Sequence, residues 1–114
     1  AEEIRKRFPV FLATLRKTHP TTPLIFLQTL DREKSNFDLV NRASEAAKKQ
    51  AAEEVVHEAM KWDKHIYFID PKEKTGKDHI TSTDGTHPSD LGYWRWAQQI
   101  EPKLMKILKK YGIK

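Results

Sequence analysis

The sequence predicts an α/β fold with parallel strands. Two short, wholly apolar runs are separated by a long helical pattern, and a further helical pattern flanks each of them. Such runs mark strands buried on both faces, as in parallel sheets. The order helix, strand, helix, strand, helix then requires a crossover connection, which is right-handed in nearly all known cases.

The elements follow in chain order. Residues Glu2 to Lys17 read as a helix, with Ile4, Phe8, Phe11, Leu12 and Leu15 on one face. Pro9 removes one backbone hydrogen bond, so a short first turn and a main helix from about Pro9 are expected. His19-Pro20-Thr21-Thr22-Pro23 breaks the pattern. Leu24 to Leu27 is the first strand, and a polar loop from Thr29 to Ser35 leaves its end. A helix starting at Asn36 or Asp38 should run to about Met60. Trp62 to His65 connects it to the second strand, Ile66 to Ile69. Asp70 to Thr83 is charged and holds Pro71 and Gly76, which reads as a long loop. Loops at the carboxyl ends of strands are the functional ones in open α/β sheets. The last helix should begin near Ser89 and end near Lys110, with a kink or split at Pro102 and a stop at Gly112.

Composition sets limits. The 114 residues suit one small domain or a piece of a larger one. A hydrophobic content of 38% argues for a folded chain. No apolar run approaches the ~20 residues that cross a bilayer, so no transmembrane segment is expected. The absence of Cys excludes disulfides and thiolate metal sites. The net charge is +5, with Lys103, Lys106, Lys109, Lys110 and Lys114 clustered at the end of the last helix. There they complement the helix dipole, and a solvated face is favoured over nucleic-acid binding.

The residues with chemistry lie in Asp84-Gly85-Thr86-His87-Pro88. A base histidine needs an acceptor on Nδ1, which leaves Nε2 free to take a proton. A spacing of three in a tight loop brings the carboxylate back onto the imidazole. A lone His-Pro would read as a loop histidine, and Asp-Gly alone as a turn. Together, between a strand and a helix capped by Ser89, Asp84 and His87 read as orienter and base. The other histidines, His19, His57, His65 and His79, lack metal-ligand spacing. Tyr93, Trp94 and Trp96 read mainly as helix-on-sheet packing, with one tryptophan free to face outward. Gly92 reads as a close-packing position.

From Ile66 to Leu108 the chain resembles the SGNH, or GDSL-type, serine hydrolases, in their bacterial acylhydrolase and esterase branch. The strand Ile66 to Ile69, the block Asp84-Gly85-Thr86-His87-Pro88-Ser89-Asp90-Leu91-Gly92 and the helix Tyr93 to Ala97 carry the resemblance. The upstream helix, breaker, strand and long helix fit the same order. The resemblance implies a three-layer α/β/α sandwich of flavodoxin-like type. It also implies a Ser-His-Asp triad to which His87 and Asp84 contribute.

The family's Gly-Asp-Ser nucleophile block and its Gly and Asn oxyanion blocks are not here. Ser35, Ser44, Ser82 and Ser89 stand in other contexts. Residues 1–114 are therefore expected to be the C-terminal portion of one catalytic domain, and inactive alone. The N-terminal strands, with nucleophile and oxyanion residues, would lie elsewhere. The expected substrate is a small acyl ester, an acetylated carbohydrate among them, with no cofactor and no metal. The expected partner is the missing half of the domain, or another chain at the sheet edge. Export to the periplasm or beyond follows from the resemblance alone. The alternatives are a non-catalytic α/β binding module and a degenerate hydrolase without its serine.

Overall fold

A computed structural model describes all residues 1–114. The element order is α1 (Glu2–Thr18), β1 (Leu24–Leu27), a 3-10 helix (Glu33–Asn36), α2 (Leu39–Met60), β2 (Ile66–Ile69) and α3 (Asp90–Lys109). The two strands form a parallel two-stranded sheet. The α/β class and both strand positions agree with the sequence reading.

The chain divides into two compact units. The first comprises Ala1–Gln28 and Ala43–Phe68, and the second Thr29–Arg42 and Ile69–Lys114. In the first unit, Leu12 of α1, Val56 and Ala59 of α2 and Ile66 of β2 form a buried cluster. Phe8, Leu24, Phe26, Val55 and Phe68 pack against it. The Phe8 and Phe26 rings meet at 5.4 Å between centroids. The Leu24 N–H donates to the His65 carbonyl at 2.8 Å, which starts the β1–β2 pairing. At the far end of β1 the buried Gln28 donates through Nε2 to the Lys49 carbonyl, tying the strand to α2.

Arg16 locks the entry to both strands. Its Nε donates to Asp63 Oδ2 at 2.7 Å, and its Nη1 donates to the carbonyls of His19 and Thr22. The breaker His19 to Pro23 thus reverses around one guanidinium rather than through turn residues alone.

Several expectations need correction. β1 is half-buried, and Leu27 is 43% exposed. Each strand of a two-stranded sheet has only one paired edge, so an apolar run alone does not ensure full burial. α1 continues through Pro9 from Glu2, and α3 is not split at Pro102 but runs on to Lys109. Each proline removes one donor, and the remaining bonds of a long helix carry it past the gap. Of the two starts expected for α2, Asn36 belongs to a separate 3-10 helix, whereas Asp38 directly precedes Leu39 and caps the helix, its Oδ1 accepting the Asn41 N–H at 2.8 Å.

The second unit carries the long loop and α3. Ile69, Pro71, Thr81, Ile100 and Ile107 are buried there. Ser89 caps α3, its Oγ accepting from the Gly92 N–H. The helix closes with Gly112 at φ 71°. The Ile113 N–H reaches the Leu108 carbonyl and the Gly112 N–H the Lys109 carbonyl. This paired closure is the Schellman stop that a C′ glycine permits.

Candidate active site

The loop between Ser82 and Pro88 begins and ends on itself. Ser82 and Pro88 form an antiparallel bridge, and the Ser89 N–H donates to the Thr81 carbonyl at 2.7 Å. Five residues, 83 to 87, project from that neck. Gly92 makes the neck possible, since a Cβ there would lie 2.8 Å from both the Thr81 carbonyl oxygen and Pro88 Cβ. Its predicted role in close packing agrees with this contact.

Asp84 folds the loop inward. Its Oδ1 accepts the Thr86 N–H at 2.8 Å and the His87 N–H at 2.7 Å. Ser82 Oγ adds a longer bond at 3.4 Å. This is an Asx turn extended by one residue, the arrangement aspartate favours at turns. With Oδ1 occupied, Oδ2 faces the imidazole, and His87 Nδ1 stands 2.6 Å away.

The electrostatics fix the roles within that pair. The His87 ring contact, then the His87 and Thr86 N–H groups, hold the Asp84 carboxyl far below the usual carboxylate range. An ionised carboxylate only accepts, so Nδ1 carries the hydrogen. In a neutral ring Nε2 is then the lone-pair nitrogen. The His87 side chain is 75% exposed, with Nε2 on the ring edge away from Asp84.

A second segment supports the loop from outside. The Lys34 N–H donates to the Gly85 carbonyl at 2.9 Å. Gly85 has φ 76°, and an added Cβ would meet Lys34 Cβ at 3.3 Å. Next to Lys34, Glu33 Oε2 lies 2.7 Å from His79 Nδ1. The sequence offered no signal for either contact, because 46 to 51 positions separate the partners.

The four serines take other places. Ser35 Oγ accepts from Asn41 Nδ2, Ser89 Oγ caps α3, and Ser82 Oγ reaches Asp84. Ser44 is exposed on α2. The remaining histidines include His57, edge-on to Phe68 at 5.1 Å. No three His, Cys, Asp or Glu side chains come together as a ligand set. Tyr93 and Trp94 are exposed, while Trp96 is half-buried with its indole N–H unpaired. The expectation that these rings chiefly pack therefore holds only in part, for Trp96. Positions 93 and 94 fall on the solvent side of a helix whose inward face is Gly92, Trp96 and Ile100.

The family model of the GDSL-like lipase/acylhydrolase family matches residues 1–105. A crystal structure from Bacteroides ovatus described as a GDSL-like lipase is similar at 41% identity and a TM-score of 0.88. The match covers 95% of this chain and 32% of that one, so the chain spans about a third of its relative's length. No functionally curated protein matches the chain.

Proposed function

The chain belongs to the GDSL-like lipase/acylhydrolase family, and from that premise we propose that it carries the base and orienter of a serine esterase. The observation that supports this most is the 2.6 Å contact between His87 Nδ1 and the ionised Asp84 carboxylate.

In this reading a serine hydroxyl from outside residues 1–114 attacks the carbonyl carbon of an acyl ester. His87 Nε2 takes the hydroxyl proton as the C–O bond forms. Asp84 holds the ring by Nδ1 and stabilises the imidazolium. The tetrahedral intermediate then collapses, and Nε2 returns the proton to the departing alkoxide, releasing the alcohol. Water repeats both transfers on the acyl-enzyme and frees the acid and the serine. Oxyanion donors lie outside this chain in the same reading. The chain is then the C-terminal portion of one catalytic domain. Its substrate is a small acyl ester, with acetylated carbohydrate in range by family analogy.

The test is hydrolysis of short-chain nitrophenyl esters by the intact hydrolase and by its His87→Ala variant. Loss of most of the turnover supports the assignment. Full turnover without His87 contradicts it.

A further inference from the structure

We propose that Arg95 and Asp78 form a positioning clamp that sets the ring orientation of His87 from the far end of the long loop. This inference rests on the base-and-orienter reading of His87 and Asp84 and adds two residues to it.

The loop from Asp70 to Thr83 contains no helix or strand. Its path is instead defined from α3, by two side chains one helical turn apart. Gln99 Oε1 accepts the N–H groups of Glu73 and Lys74, and its Nε2 donates to the Lys74 carbonyl at 2.6 Å. Arg95 Nη1 donates to the Thr75 carbonyl at 3.1 Å and to Asp78 Oδ1 at 2.8 Å. Its Nη2 donates to Asp78 Oδ2 at 2.9 Å, completing a fork. The backbone is shaped to admit the fork. Gly76 sits at φ 99°, and a Cβ there would stand 2.6 Å from Arg95 Nη1.

Asp78 passes the constraint on. The Arg95 fork, together with the Ile80 N–H, holds its carboxyl below the usual range, so it stays an acceptor. His79, between them, takes φ 60°, and its ring reaches Glu33. Thr81 follows, almost wholly buried, and its carbonyl receives the Ser89 N–H. Ser82 then pairs with Pro88 at the neck of the His87 loop. Three residues, His79, Ile80 and Thr81, thus join the fork to the neck.

The fork adds little to stability as a surface ion pair, because both partners are substantially solvated. A bidentate guanidinium–carboxylate pair does fix direction. Direction matters at a base histidine, where small displacements remove most of the benefit of positioning. Arg95 and Asp78 are therefore positioning residues, acting through the loop.

The readout is the tautomer of His87 in the full 114-residue chain. Two-bond proton–nitrogen correlation spectra of a neutral ring distinguish Nδ1–H from Nε2–H. The wild type should favour Nδ1–H. Arg95→Met and Asp78→Asn should each lose that preference, with helix content unchanged. If Arg95→Met fails to fold, the near-isosteric Asp78→Asn decides the same point. A lowered thermal midpoint with the wild-type tautomer balance intact overturns the clamp and leaves the Asp84–His87 reading standing. A wild type that shows no Nδ1–H preference overturns that reading and the clamp with it.

Discussion

Asp84 uses both oxygens, one to shape its loop and one to hold a ring. This double use lets one side chain shape the loop and meet the ring three positions on. It also made the pair legible in the sequence: every partner of Asp84 lies within three positions. The contacts of Lys34 with Gly85 and of Arg95 with Asp78 were not legible, because their partners lie 51 and 17 positions apart and no local pattern encodes them. In the intact hydrolase, Asp84→Asn should keep the fold and lower kcat by up to roughly 10⁴-fold, as a mis-set tautomer does elsewhere. Steady-state kinetics with a folding check by circular dichroism would test this. The Asp84 carboxyl is depressed, so its stabilisation of the loop is fully present above its unfolded value. It is lost only as pH falls through the lower folded value. A kcat/KM that falls in Asp84→Asn but less than in His87→Ala would agree with the proposed division of roles between orienter and base. Gly92→Ala tests the neck itself. Its Cβ has no room beside Thr81 and Pro88, and a loss of about 1–3 kcal/mol is expected from overpacking. Chemical denaturation of the two proteins would measure it.

Helices and strands were largely legible as elements, and their interruptions were not. Ser89 and Gly112 marked the two ends of α3 because capping is local chemistry. Pro9 did not delay α1 and Pro102 did not split α3, because the loss of one donor does not end a helix held by its other bonds. The turn between α1 and β1 reads as Pro and Thr punctuation, yet its geometry depends on Arg16. Arg16 and Asp63 are 47 positions apart, and both side chains are mostly buried. Burial alone would raise the Asp63 carboxyl. The Arg16 bond, the His65 N–H and the nearby charge outweigh it, and the net shift is downward. Arg16→Met should cost about 3 kcal/mol near neutral pH, since it strands a buried carboxylate. The Asp63 contribution is present above the ordinary carboxylate range and is lost as pH falls through its depressed folded value. Thermal midpoints of the two proteins should therefore converge as pH is lowered. A gap that stays constant down to strongly acidic pH would show that the ion pair is not its source.

Two strands, one strand edge unpaired on each, and a match to about a third of a solved relative describe the molecule at its largest scale. The fold class was legible because element order and apolar runs survive in any stretch of an α/β sheet. The burial of β1 was not, since an apolar run signals what a strand is suited to, not how much of it is covered. The same logic applies to the chemistry: the proposed base and orienter stand in a chain where Ser35, Ser82 and Ser89 make local hydrogen bonds and Ser44 is exposed. On this account the 114-residue chain alone should show no ester turnover above buffer, and the intact hydrolase should turn over. The most direct measurement is fluorophosphonate labelling of the intact hydrolase, with the modified residue located by mass spectrometry in wild type and in His87→Ala. The account predicts a single labelled serine outside residues 1–114, with labelling that collapses when His87 is removed. Labelling of Ser35, Ser44, Ser82 or Ser89, or labelling undiminished without His87, would contradict it.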